Sequence, residues 1–246
     1  PPIERENFQP RGYSLTFRTV SSALAAALAL AATPALSSYG FHMGKDLTET
    51  GGVLIGGTGE EVSNHWLEIV PAQDHEAGAT VSVGVTDAAS IPGELIEIPQ
   101  VDRTFRYLTM NYSEYKGFPA PLTNGGINEH QVAVRDIWAT NRSDLTEMTP
   151  EPQTGPQYSD LGRLVLDRAT TARVGAELIR ELIAEHGYST YGGNTHLIAD
   201  PNEGWVVWQF SGGQGLWATE RLESDEVRGL YPGCIEDFPA KFEESE

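Results

Sequence analysis

The residues able to do chemistry in this sequence are scattered rather than clustered. The six histidines are His42, His65, His75, His130, His186 and His196. No two of them stand four apart, the spacing that sets two imidazoles on one helix face for a metal. Neither a metal nor a cofactor is expected. Cys234 is the single cysteine, which rules out an intrachain disulfide and a cysteine-based zinc site; within Pro232-Gly233-Cys234-Ile235 it reads as a small buried hydrophobe. The patterns G-x-S-x-G, H-E-x-x-H and the Walker loop are absent. Gly56-Gly57-Thr58-Gly59 is followed by Glu60 and Glu61, where a phosphate loop needs lysine and a hydroxyl, so a tight turn is predicted there. On residue type alone Glu60 and Glu61 are surface carboxylates and Arg135 is the outward residue of an alternating strand. Asn128, in Gly125-Gly126-Ile127-Asn128-Glu129, is a turn residue tolerant of left-handed angles.

The elements that must position these groups are mostly strands. Short apolar or alternating runs bounded by Gly, Pro, Asn and Asp predict strands at Gly52–Ile55, Trp66–Val70, Thr80–Val85, Leu95–Ile98, Phe105–Met110 and Gln131–Arg135. Thr195–Ala199 and Trp205–Phe210 flank Asp200-Pro201-Asn202-Glu203-Gly204, which has the composition of a hairpin loop, and Leu216–Arg221 extends the meander. Between these regions lies a helical pair. Ser159 or Asp160 caps the first helix, with Leu161, Leu164, Val165 and Arg168 at helical spacing. Thr170 or Thr171 caps the second, Val174, Leu178, Ile179, Leu182 and Ile183 form its apolar stripe, and Gly187 stops it. Antiparallel strands, a helical pair and more strands predict a layered α+β domain, not a parallel doubly wound one. Trp205, Trp208 and Trp217 are expected to fill core or pocket wall.

The chain has 246 residues, 39% of them hydrophobic, enough for a substantial core in one domain. With 35 acidic against 16 basic residues the formal charge is −19, which disfavours nucleic acid and anionic membrane as partners. Residues 1–37 read as a leader. Arg18 precedes an apolar stretch from Ala23 to Ala32, and Ala35-Leu36-Ser37 puts small residues three and one before Ser38. The stretch is shorter than the ~20 residues a bilayer span needs, so no permanent membrane anchor is expected and the product is exported, periplasmic or secreted. Homo-oligomer formation stays open. Asn111-Tyr112-Ser113 and Asn141-Arg142-Ser143 match glycosylation sequons.

Directly after the leader come Ser38-Tyr39-Gly40-Phe41-His42-Met43-Gly44-Lys45-Asp46 and Gly51-Gly52-Val53-Leu54-Ile55-Gly56-Gly57. This order resembles the start of the mature chain in the dipeptidase family of N-terminal-nucleophile hydrolases, where a cysteine precedes a short strand, a Gly-Lys, a turn and a second strand. Ser38 aligns with that cysteine. The resemblance continues through Thr123-Asn124-Gly125-Gly126-Ile127-Asn128-Glu129 and Tyr191-Gly192-Gly193-Asn194-Thr195-His196-Leu197-Ile198-Ala199-Asp200. It covers most of residues 38–239 and corresponds to the N-terminal part of a typical member, or to a shortened one.

The resemblance implies an αββα sandwich over residues 38–246 and an amide hydrolase acting on dipeptides or small peptides. The nucleophile is the first residue of the mature chain, and its own α-amine is the general base. It further implies Asn128 as oxyanion donor, Glu60 or Glu61 as the group holding the α-amine, and Asn194 and Arg135 as substrate contacts, Arg135 through a carboxylate. With residues 1–37 attached, the Ser38 nitrogen is an amide and the chain is an inert precursor. A natural serine variant that removes its leader, by its own attack or by a signal peptidase, and a cysteine changed to serine that holds the precursor, both stay open. The alternative from another class is a secreted binding or scaffold protein that keeps the fold without catalysis.

Overall fold

The computed structural model describes residues 38–59, 63–139, 141 and 143–230. The first two strands, β1 (Tyr39–Met43) and β2 (Leu54–Thr58), are joined through a short 3-10 turn at Lys45–Leu47. Then come β3 (His65–Val70), β4 (Gln73–Asp74), β5 (Thr80–Val83), β6 (Ile96–Pro99), β7 (Arg103–Thr104), β8 (Tyr107–Tyr112), β9 (Leu122–Asn128) and β10 (Ala133–Ala139). Three helices follow, α1 (Ser143–Glu147), α2 (Tyr158–Arg168) and α3 (Ala172–His186). The strands β11 (Gly193–Ala199), β12 (Gly204–Gln209), β13 (Trp217–Leu222) and β14 (Val227–Leu230) complete the described chain.

Among the described residues the strands make one seven-stranded antiparallel sheet, ordered β13-β12-β11-β10-β9-β8-β3, and a three-stranded sheet, β14-β1-β2. Two short ribbons, β4-β7 and β5-β6, are hydrogen-bonded separately from both sheets, and Val83 and Ile98 of the second pack into the helix-side core. Side-chain alternation gives the large sheet two apolar faces. Val134, Ile198 and Val207 join Leu161, Leu164 and Val165 of α2 and Ile179 and Ile183 of α3 in one core. On the opposite face Ile137, Leu197, Val206 and Leu222 pack with Ile55 and Leu230 of the small sheet. The layers are therefore helices, large sheet and small sheet, an α+β arrangement. Trp205 and Trp217 pack against the first core and Trp208 against the second, as expected.

Several boundaries differ from the sequence expectation for identifiable reasons. Gly56 and Gly57 lie inside β2 rather than in a turn. The Phe41 ring already occupies the space a side chain on Gly56 would take, at 2.5 Å from an added Cβ. Strand β9 is not foreseen by the sequence reading, because Asn124-Gly125-Gly126 has turn composition. A Cβ on Gly125 would fall 2.1 Å from the Val134 carbonyl oxygen and one on Gly126 2.1 Å from that of Leu108, so the neighbouring backbones close over both glycines. The cap of α2 is Gln157, ahead of the expected Ser159 or Asp160. The Ser159 hydroxyl instead accepts from Thr123 N at 2.7 Å, and the Asp160 carboxylate accepts from Gly84 N at 2.8 Å as well as from Gln157 N. Thr171 caps α3 by accepting from Val174 N at 3.2 Å, and Gly187, at φ 83°, stops it. Val174 lies on the exposed side of α3, and Ala172, Gly175 and Ala176 complete its buried stripe instead. In the β11–β12 hairpin Asp200 accepts from Asn202 N and Glu203 N. Asn111 is buried with its amide donating to Glu68 at 2.6 Å, so its sequon is closed to a glycan. Cys234 lies outside the described residues.

Candidate active site at the head of β1

Ser38 immediately precedes β1, whose alternation sets Gly40 and His42 on one face. That face turns to the large sheet. A Cβ on Gly40 would meet the Ile137 side chain of β10 at 2.5 Å, and the His42 ring fills the space over Gly204 of β12. Continuing the same alternation back by one step directs the Ser38 side chain between the sheets.

Arg135 sits on β10 two residues before Ile137 and so shares its face. Its Nε lies 3.0 Å from the position a Cβ would take on Gly57, and the Tyr39 carbonyl oxygen lies 2.6 Å from the same point. Arg135 thus stands beside the first strand residue after Ser38, in room that only a glycine at position 57 leaves. One end of its guanidinium is fixed: Nη1 donates to the Asn124 carbonyl at 2.7 Å and to Asp136 at 2.9 Å. Among the described residues its Nε and Nη2 have no such partners, and this planar edge is the one that carboxylates recognise in a bidentate way. Gly57, Asn124 and Arg135 line a groove of about 290 Å³ whose apolar wall is Leu67, Leu108 and Met110.

The structure brings Ser38 and Arg135 to one region and separates other predicted residues from it. Asn128 is corrected by its own hydrogen bonds. Its Nδ2 donates to the Leu166 carbonyl at 3.1 Å and the Ala169 carbonyl at 2.7 Å, and its Oδ1 accepts from His130 N and Val132 N, each at 3.0 Å. An asparagine side chain has two donors and one acceptor oxygen, so none remains for an oxyanion. Asn128 ties the β9–β10 turn to the end of α2, and the left-handed residue of that turn is Gln131, at φ 63°. Asn194 is also misplaced for substrate contact. It lies three residues from Leu197 along β11, hence on the opposite face, with His196, whose Nε2 meets the Tyr158 carbonyl of α2 at 2.9 Å. Burial pushes the His196 imidazole down to about 4. Glu60 and Glu61 lie outside the described residues. His42 is buried, its pKa lowered first by that burial, and it stands four strand positions from Ser38, about 13 Å away. That distance removes it as a base for Ser38. Sequence reasoning passes over Gly57 and Asn124, which line the groove; a Gly-Gly pair inside a strand is the available signal.

The model of peptidase family C69 matches residues 92–229, more than half of the chain. The chain belongs to peptidase family C69. The match includes Asn124 and Arg135 and begins after Ser38. Probable dipeptidase B of Streptococcus pyogenes serotype M3 (strain ATCC BAA-595 / MGAS315) is 27% identical over 179 residues, covering 71% of this chain and 33% of that protein. The serotype M1 protein of the same name is 27% identical over 182 residues with the same shares. The chain therefore spans about a third of the length of these curated relatives. Among solved structures, a mutant of conjugated bile acid hydrolase from Clostridium perfringens has 13% identity and a TM-score of 0.43, covering 84% of this chain and 54% of that one. Penicillin V acylase from Agrobacterium tumefaciens has 12% identity and a TM-score of 0.39, covering 78% and 51%.

Proposed function

We propose that this chain is an amide hydrolase for dipeptides or small peptides in which Ser38, once it is the first residue, is the nucleophile and Arg135 anchors the free carboxylate of the substrate. The observation that carries the reading is the Nε–Nη2 edge of Arg135 in the room above Gly57, beside Tyr39. Removal of residues 1–37 converts the Ser38 nitrogen from an amide into an amine with a reference pKa near ~8, able to take the hydroxyl proton. The hydroxyl attacks the substrate carbonyl, the amine returns the proton to the leaving nitrogen, and water releases the acyl group. The same reading takes residues 1–37 as an export leader and the unprocessed chain as inert. A serine hydroxyl ionises far less readily than a thiol, so turnover is slower than with cysteine at position 38.

A second reading, a non-catalytic exported binding protein, has its own support. Leu67 and Ile69 are 68% and 70% exposed, and with Leu108, Met110 and Ile127 they form an apolar strip along the groove. Both readings use Arg135, and both are tested by calorimetric titration with a dipeptide and with its C-terminal amide. The free carboxylate should bind at least about tenfold more tightly, and Arg135→Met should abolish that preference. Equal affinity for acid and amide in the unsubstituted protein would remove Arg135 from the site.

A further inference from the structure

Among the described residues the small sheet ends at β2, while the large sheet runs on beyond it. Past that edge the face of β9, β8 and β3 is the floor of the groove bordered by Gly56 and Gly57. Strand register lays the side chains of this face out in two rows. One row holds Ala133, Ile127, Leu108 and Ile69. The other begins at Arg135, which pairs with Gly125, and ends at Leu67, which pairs with Met110. Met110 falls at the irregularity of the β8–β9 register, between the pairs Thr109–Gly126 and Asn111–Thr123, so it faces Asn124 and Gly125.

Arg135 thus heads a row whose next position has no side chain and whose far positions are a thioether and an aliphatic chain. Leu67, Leu108, Met110 and Ile127 are all exposed, and a contiguous apolar strip of this kind marks a surface that receives something. Arg135 is the only ionisable residue among the described residues lining the groove. Two strand spacings, ~10 Å, separate β10 from β8. The arginine covers the first of them itself, since its Nη1 reaches the Asn124 carbonyl of β9 at 2.7 Å. One spacing, ~5 Å, is left between the guanidinium and Met110. A leucine or phenylalanine side chain, carried on the carbon next to a carboxylate, spans that gap. A methyl group does not.

We infer that the substrate class of this site is dipeptides with a large apolar C-terminal residue, whose carboxylate meets Arg135 and whose side chain crosses Gly125 to lie against Met110, Leu108 and Ile127. Met110, at the end of that crossing, is the specificity-determining residue. The inference rests on Arg135 as the carboxylate anchor, and it holds whether or not Ser38 turns the ligand over. A C-terminal lysine would bring a second cation beside Arg135 with no carboxylate in the groove to receive it. A C-terminal aspartate would give up water for its second carboxylate without a second cation in exchange.

The test is calorimetric titration of the full chain with alanyl-leucine, alanyl-alanine, alanyl-lysine and the C-terminal amide of alanyl-leucine. Alanyl-leucine should bind at least about tenfold more tightly than alanyl-alanine or alanyl-lysine, the gain expected from covering three further apolar carbons in part. Met110→Ser should cut that advantage to about threefold or less, while the preference for the acid over the amide survives. If that variant does not fold, the comparison of dipeptides on the unsubstituted protein decides. An acid preference that stands while the leucine and alanine dipeptides bind alike, or an advantage unchanged in Met110→Ser, would overturn this inference alone. Equal affinity for alanyl-leucine and its amide, or no binding of any dipeptide at about 10 mM, would overturn the role of Arg135 and the inference with it.

Discussion

Replacing Asn128 with alanine removes both donors that close the Leu166 and Ala169 carbonyls and the acceptor that shapes the following turn. Asn128→Ala should therefore cost about 2–4 kcal/mol of stability, read by denaturant unfolding, while the folded fraction keeps its preference for a free carboxylate. Arg135→Met should lose the preference itself, and because it also takes a partner at 2.9 Å from the buried Asp136 carboxylate it should cost about 3 kcal/mol of stability as well. The turn role of Asn128 is legible from the Gly-Gly-Ile-Asn-Glu run. Its bonds to α2 are not, because those partners lie 38 and 41 residues away in the chain. His196 makes a pH prediction. Its folded pKa, about 4, is below the ordinary 6.5, so the unfolded chain binds more protons between those values. Its contribution is complete above about 6.5 and is lost as pH falls toward 4, amounting to roughly 3 kcal/mol at the acid end. Asp167 acts in the opposite sense between 3.8 and about 6, where its raised pKa favours the folded state at the acid end. The imidazole resonances of His196 should report a neutral ring at pH ~5; a charged ring at that pH would contradict the assignment.

At the scale of elements, β9 shows what local composition cannot reveal. Its glycines look like a turn in isolation, yet they are what lets three strands approach. Gly126→Ala brings a Cβ within 2.1 Å of the Leu108 oxygen, so β8 and β9 must part. A loss of about 3 kcal/mol or more is expected, with the melting temperature as readout; an unchanged melting temperature would mean that β9 is not clamped between its neighbours. Where the signal is strictly local, expectation and structure agree, as with the Thr171 cap, the Gly187 stop and the Asp200 hairpin. Where a capping side chain is claimed by a distant backbone group, as Ser159 is by Thr123 and Asp160 by Gly84, the cap moves to Gln157. The apolar runs mark most strands because burial on both faces of the large sheet demands them, whereas β14 and the ribbon strand β7 are too short and polar to announce themselves.

For the whole molecule, the order of strands, helical pair and strands makes the α+β layering legible, since a helix stripe and a sheet face each need a partner. The site proposed here takes its first residue and Arg135 from the sequence. The room that Gly57 makes for Arg135 depends on β1, β2 and β10 meeting across distant stretches of chain, which spacing cannot encode. The hydrolase reading turns on position 38 acting as a nucleophile once it begins the chain. The decisive experiment compares the intact mass and N-terminal sequence of the protein with those of Ser38→Cys, each assayed against a panel of dipeptides. Ser38→Cys should begin at residue 38 and hydrolyse at least one dipeptide, far faster than the serine form. If both proteins begin at residue 38 and neither cleaves any dipeptide, the hydrolase reading is contradicted and the groove beside Arg135 is a binding site alone.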